Sequence, residues 1–213
     1  MSLSHTSRPP SQEKLFDTAQ SLPNGLVYRP HFITPNEEET ILHYLTNLPL
    51  EHGSYTIRSI GETITTKRRM LGFGWNDTSI PRWLEPLRGK VAKWLDVPKS
   101  RITSALINEY IPGTGMGWHR DEGNIEHVVG ISFGSWATMR FRPYSLKNRS
   151  EIIAIEMERR SAYIMQKQVH WSWQHSVMPV KHARYSITFR TVFHEAYTFE
   201  PATNPVVQHS WSE

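Results

Sequence analysis

His119 and Asp121 stand two residues apart in Trp118-His119-Arg120-Asp121. On an extended segment, residues at i and i+2 point to the same side. An imidazole nitrogen and a carboxylate oxygen converging from one strand end make half of a metal site. A third ligand must come from elsewhere, and His127, His170, His175, His182 and His194 all lie downstream. Two histidines and one carboxylate leave open positions for substrate and oxygen, the facial triad of non-haem iron(II) oxygenases. Zinc also accepts two histidines and a carboxylate. Zinc hydrolases, however, place their histidines one helical turn apart, and no such pair falls in a helical stretch here. The chain contains no cysteine. That excludes a thiolate metal site, a cysteine nucleophile and a disulfide framework together.

A second group is Arg184-Tyr185-Ser186-Ile187-Thr188-Phe189-Arg190. In a strand, Arg184, Ser186, Thr188 and Arg190 share one face, and Tyr185, Ile187 and Phe189 share the other. Two arginines are costly to bury on one face unless they meet anions. Six residues span roughly 20 Å of a straight strand, so two long stems leaning inward can grip both ends of a short dicarboxylate. An exposed strand face carrying surface charge is the competing reading. His170, five positions before His175, faces away from it if both lie on one strand.

These residues need a scaffold, and the chain supplies one of ordinary globular composition. Of 213 residues, 38% are hydrophobic and 21% charged, with 8 each of Trp, Tyr and Phe, enough for one large core. Thr34-Pro35-Asn36-Glu37 predicts a capped helix start. Ile41, Tyr44, Leu45 and Leu48 continue it at helical spacing up to Pro49. A second helix is predicted from Pro81 or Pro86 to before Pro98, with Leu84, Leu87, Val91, Trp94 and Leu95 on one face. A further short helix is read near Glu13 to Gln20. Residues 54–75 read as extended. Beyond Arg101, short β-rich runs at 103–111, 126–134, 137–142, 151–157, 161–166 and 184–193 predict a sandwich or barrel. No apolar run reaches the ~20 residues of a membrane span. The polar amino terminus and absent cysteines predict an intracellular, cytoplasmic protein, or a nuclear one in a eukaryote. The net charge of +4 favours polyanionic partners.

Taken in order, these residues resemble the AlkB family of iron(II)- and 2-oxoglutarate-dependent dioxygenases. The pattern reads Asn108-x-Tyr110-x-x-Gly113, five residues, His119-x-Asp121, a distal His175, and Arg184-x-Ser186-x-x-x-Arg190. The resemblance implies an α+β fold: a double-stranded β-helix (jelly-roll) core with two or three flanking N-terminal helices. It implies iron(II) held at the catalytic centre by His119, Asp121 and His175, with 2-oxoglutarate as co-substrate and O2 as oxidant. Arg184, Tyr110 and Ser186 would hold the far carboxylate, and Asn108 and Arg190 would attend the carboxylate near iron. Arginine forks suit that task. Residues 1–24 read as a flexible tail, and the resemblance implies a single dioxygenase domain over 25–195. Within the domain, 25–100 hold helices and a nucleotide-recognition lid and 101–195 the jelly-roll core; 196–213 form a C-terminal extension.

The resemblance further implies oxidative demethylation of N-alkylated bases in DNA or RNA by a monomer, releasing succinate, carbon dioxide and formaldehyde. Such a base must leave its stack to react. In the lid segment Lys67 to Trp75, Arg68 and Arg69 would meet phosphates, and Phe73 and Trp75 would stack on a base. Core packing is the alternative for the two aromatics. Glu122 would face a cationic methylated base. Base-repairing members often carry an acid two positions after the ligand Asp, where this chain has Gly123, and the lid is short, with only Asn76 to Ser79 before the next helix. These departures keep open a hydroxylase acting on a modified tRNA base, a protein side chain or a small molecule. Arg140 and Arg142 alternate with Phe141 and read either as substrate contacts or as surface.

Overall fold

The computed structural model describes residues 22–57, 61–74, 79–121, 124–145 and 151–193. The helix read near Glu13 to Gln20, the candidates Trp75, Glu122 and His194, Gly123, and the extension 196–213 lie outside the described residues.

The helical start predicted at Thr34 is built as its residue types demand. α1 (Pro35–Leu45) opens with a reciprocal capping box: Glu37 N donates to Thr34 Oγ1 at 3.2 Å, and Thr34 N donates to Glu37 Oε2 at 2.7 Å. The helix stops at Leu45, three residues earlier than the apolar spacing suggests, and Thr46 to Leu48 form a turn. α2 (Glu85–Leu95) carries Pro86 in its first turn and ends on Asp96 in the left-handed region, φ 56°.

The strands are β1 (Leu26–Arg29), β2 (Glu51–Ile57), β3 (Glu62–Phe73), β4 (Ile102–Tyr110), β5 (Met116–His119), β6 (Ile125–Phe133), β7 (Ala137–Pro143), β8 (Ile153–Met157), β9 (Ala162–Met165), β10 (Trp173–Val177) and β11 (Arg184–Val192). A short helix, α3 (Lys167–Ser172), precedes β10. Among the described residues they form two antiparallel sheets, a large one ordered β1-β9-β6-β11-β4-β3-β2 and a small one ordered β5-β10-β7-β8. This is a jelly roll flanked by helices, the α+β class expected.

Strand alternation sorts the large sheet into two faces. Leu71, Phe73, Ala105, Ile107, Ile131, Ile187 and Phe189 point outward and pack with Ile41, Leu45, Leu87 and Val91 of the two helices. Each fully buried Leu or Ile of this layer contributes about 1.5–3 kcal/mol. The other face carries Asn108, Tyr110, Ser132, Arg184 and Ser186, all buried. It looks toward the small sheet, whose Met139, Phe141 and Val177 close the interior. The polar residues of the sequence motif are therefore enclosed between the sheets.

One ionic cluster fastens helix to sheet. Glu38 of α1 is fully buried and accepts from Arg159 Nε at 2.7 and 2.8 Å, Arg160 Nη1 at 3.2 Å and Gly134 N at 2.9 Å. Glu38→Ala would strip the acceptor from all three. Both guanidiniums reach solvent, so the cost falls at the low end for a broken buried pair, about 3 kcal/mol. Urea unfolding checks this; a loss below 1 kcal/mol contradicts the buried-anchor reading. Among the described residues no helix is long and apolar enough to cross a membrane.

Candidate active site

β5 and β10, two strands that composition does not announce, carry the histidines. His175 pairs directly with His119 across the β5–β10 ladder, and their rings lie 4.1 Å apart between centroids. The strand ends at His119, and the following turn brings Asp121 back: its Oδ2 is 3.6 Å from His175 Nε2. One ligand atom from each of the three falls within 4.8 Å of the others. His119 Nδ1 lies 2.9 Å from Gly117 O. A carbonyl only accepts, so Nδ1 carries the proton and Nε2 keeps its lone pair for a metal. Among the other histidines, His127 bonds to Thr191 Oγ1 on β11. His170 is buried on α3 instead of sharing a strand with His175, because the chain coils through 167–172 before β10 begins.

The strand bearing both arginines runs through the middle of the large sheet, between β4 and β6. The exposed-face reading of this segment therefore fails. Arg184 is 3% exposed and sits opposite Tyr110, with its Cζ 5.1 Å from the ring centroid. Its Nη2 donates to Ser132 Oγ at 2.8 Å, while Nε and Nη1 are buried with no hydrogen-bond partner among the described residues. Asn108 Oδ1 is likewise unpaired. Ser186 lies beside Asn108 in register. At the other end of the strand, Arg190 Nη2 stands 3.6 Å from Asp121 Oδ1.

These observations test the implied cofactor. Two imidazoles and a carboxylate match the donor set for iron(II). A buried guanidinium with two unanswered donors is expensive unless a carboxylate comes to it. The residues fit both groups.

The substrate candidates divide by strand parity. Arg69 pairs with Glu109 on β4, so it shares the outward face: Nη2 donates to Glu109 Oε1 at 2.9 Å, which also accepts from Tyr185 Oη at 3.0 Å. Burial and that bond push the Tyr185 phenol up to about 12. Phe73, opposite Ala105, packs in the helix-facing core. Phe73 is thereby corrected from a stacking residue to a core one, and Arg69 lies on the outer face against Glu109, because side chains alternate and each lies an odd number of positions from Arg68. Arg68 turns inward, its Cζ 6.0 Å from Tyr110, and its Nε is buried without a partner among the described residues. Tyr110 thus has a guanidinium on either side.

Sequence reading passes over Ser132, which orients Arg184, and Tyr163. A Cβ at Gly130 would come within 2.3 Å of the Tyr163 ring, so glycine there lets the ring lie against the sheet. Burial raises the Tyr163 phenol well above its usual value, and the Asp121 charge adds to this. The available signal is period two: Gly130 and Ser132 alternate with Ile131 and Phe133.

Comparison with known proteins decides the family. A model described as the 2OG-Fe(II) oxygenase superfamily matches residues 61–190. The chain belongs to that superfamily. Its co-substrates are 2-oxoglutarate and dioxygen and its metal is iron(II). The oxygenase is 26% identical over 199 residues to the uncharacterized protein L905 of Acanthamoeba polyphaga mimivirus, covering 81% of this chain and 87% of that protein. It is 24% identical over 176 residues to the Xenopus tropicalis tRNA (carboxymethyluridine(34)-5-O)-methyltransferase alkbh8, covering 76% of this chain but only 26% of that longer protein. The structure of OsALKBH1 superimposes with a TM-score of 0.57 at 17% identity, covering 81% of this chain and all of that one. The oxygenase is accordingly AlkB-like.

Electrostatics favour an ionised Asp121 and a neutral His175, the states a metal requires. Burial opposes ionisation of Asp121, but the coulombic pull of His175, Arg190 and His119 prevails and keeps the carboxyl below its ordinary range. Burial drives His175 down to about 3, and the neighbouring His119 adds to the effect. The site offers a carboxylate and a neutral imidazole. As pH falls from 6.5 toward 3, the unfolded chain takes up a proton on His175 that the folded chain refuses. That share of stability is complete above pH 6.5 and fades below it, by up to about 1 kcal/mol per pH unit. Melts of the chelator-treated oxygenase between pH 7 and pH 5 check it: a His175→Gln chain is expected to lose less on acidification. An equal loss in both chains contradicts the assignment.

Proposed function

We propose that this oxygenase oxidatively demethylates N-alkylated bases in DNA or RNA. The single observation that carries the reading is the meeting of His119, Asp121 and His175 in a fold whose interior also buries Arg184 with two unanswered donors. A nucleic-acid substrate is supported by the AlkB-like relatives and by the basic run Lys67-Arg68-Arg69, of which Arg68 enters the interior. The net charge of +4 agrees with a polyanionic partner.

Iron(II) bound with 2-oxoglutarate and dioxygen supplies the oxidant that turns an N-methyl into an N-hydroxymethyl group, which then falls away as formaldehyde. The chain does the rest. Arg184, held by Ser132 and flanked by Tyr110, would fork one carboxylate of 2-oxoglutarate, and Ser186 would add a hydroxyl. Asn108 and Arg190 would hold its other carboxylate. Arg190 also keeps Asp121 ionised. Met139, Phe141 and Val128 wall the interior and keep water from the reacting methyl. Arg68, inward and unpaired at Nε, would meet an anionic group of the incoming nucleotide.

The test incubates the iron-loaded chain with 2-oxoglutarate and oligonucleotides carrying methylated bases. Mass spectrometry should record the loss of one methyl group per product and stoichiometric succinate. Succinate without methyl loss from any nucleic acid would sink the proposal. The frog relative's name specifies a tRNA uridine, which favours hydroxylation of a modified tRNA base as a second reading. A gain of one oxygen in total tRNA, in place of methyl loss, would select it.

A further inference from the structure

The outward face of the small sheet takes no part in the chemistry above, yet it is built with care. Alternation places Trp118, Gln174, Ser176, Arg140 and Arg142 on that face, opposite His119, His175 and Phe141. Trp118 reaches from β5 across β10 to β7, where Arg142 Cζ lies 4.2 Å and Arg140 Cζ 4.9 Å from its ring centroid. Arg142 Nε donates to Gln174 Oε1 at 2.9 Å, and Arg140 Nε donates to Ser176 Oγ at 3.2 Å. A second stack continues the first. Arg120 Cζ sits 3.9 Å from the Tyr144 ring, and its Nη1 donates to Trp171 O at 3.0 Å. Among the described strand residues of this face the acid is Glu156, beside Thr138 on the edge strand.

We infer that this face is a phosphate track for single-stranded nucleic acid, leading to the metal ligands; its occupant rests on the substrate reading above. Stacking uses the faces of the guanidiniums, and the Nε bonds fix their rotation. The guanidiniums therefore have little freedom left to lose on binding. A surface arginine that merely solvates the protein needs neither constraint. Planar, immobilised forks suit phosphate oxygens, which accept two parallel N–H bonds. Arg140 and Arg142 stand two residues apart, roughly 6.8 Å along a strand, a repeat that successive phosphates of an extended single strand can follow. Arg120, one residue from each of His119 and Asp121, ends the row beside the site. The track would thus hold the backbone next to a base that has swung toward the metal.

Fluorescence anisotropy with the full chain and labelled, unmethylated single-stranded DNA and RNA tests this across salt concentrations. R140Q/R142Q is expected to bind on the order of 10- to 100-fold more weakly at low salt, with a slope of log affinity against log salt shallower by roughly 1.4. R140K/R142K, which keeps charge but loses the forks, should fall between. The thermal midpoint and the absorption band of the iron–2-oxoglutarate complex report whether the variants fold. Independently, 4-thiouridine oligonucleotides should photocrosslink to the wild-type chain within residues 116–145 or 171–174. Unchanged affinity and slope in R140Q/R142Q, crosslinks confined elsewhere, or displacement of the oligonucleotide by polyglutamate at equal charge would each overturn the track. Arginine-dependent binding without methyl loss would instead sink the catalytic proposal and leave the track standing.

Discussion

Replacing Arg184 by methionine is expected to raise the 2-oxoglutarate concentration for half-maximal turnover by roughly 30- to 1000-fold, corresponding to about 2–4 kcal/mol for a lost buried charge pair. The same change should leave the chain no less stable, and more stable by about 1 kcal/mol or more. Arg184 is buried with Nε and Nη1 unanswered, and its only hydrogen bond among the described residues is from Nη2 to Ser132. A buried cation in that state costs folding free energy, and an apolar side chain of similar length removes the cost. The opposed signs make the prediction specific. A residue that supported the fold would lower both 2-oxoglutarate affinity and stability when replaced; a bystander would alter neither. Steady-state kinetics over 2-oxoglutarate and a denaturant titration suffice. A Michaelis constant within threefold of wild type would show that the carboxylate is held elsewhere.

His175→Ala should abolish the visible charge-transfer band that the wild-type chain is expected to develop with iron(II) and 2-oxoglutarate under anaerobic conditions. Removing even an outer partner of a metal ligand typically lowers affinity 10- to 100-fold. Losing one of three ligands therefore predicts more than about 100-fold, and turnover with it. The structure adds a second reason. His175 Nε2 is the near neighbour of Asp121 Oδ2, itself buried without a hydrogen bond. Without the imidazole, the carboxylate keeps mainly Arg190 at 3.6 Å. A His170→Ala chain should retain the band, since the cluster of ligand atoms within 4.8 Å comprises His119, Asp121 and His175. A band that survives in His175→Ala and disappears in His170→Ala would reverse the assignment.

Some of this protein is written locally, and that part could be read directly. Thr34-Pro35-Asn36-Glu37 specifies its own capping box, because every atom involved lies within three residues. Arg184, Ser186 and Arg190 fall on one face because strand alternation admits no other outcome. The order of motifs from Asn108 to Arg190 was enough to point to the superfamily. Chain-local rules could not see β5 and β10: strands of four and five residues, rich in His and Trp, give little apolar alternation. They exist because β7 and each other supply partners. Parity was the other blind spot. Whether Arg68 or Arg69 faced the interior depended on the register of β3 against β4, which pairs Arg69 with Glu109. Nothing within Lys67-Arg68-Arg69 distinguishes them.

The sequence by itself determined which atoms were available to bind iron and a keto-acid, and on which side of a strand the arginines must lie. Only the tertiary structure decided that this side was the enclosed one, that Ser132 would steady Arg184, and that Trp118 would gather two guanidiniums from a strand it does not adjoin. The physical reason is range. Backbone alternation and helix capping act over a few residues. Burial, register and the proximity of charges depend on chain segments tens of residues apart, and only folding sets those distances.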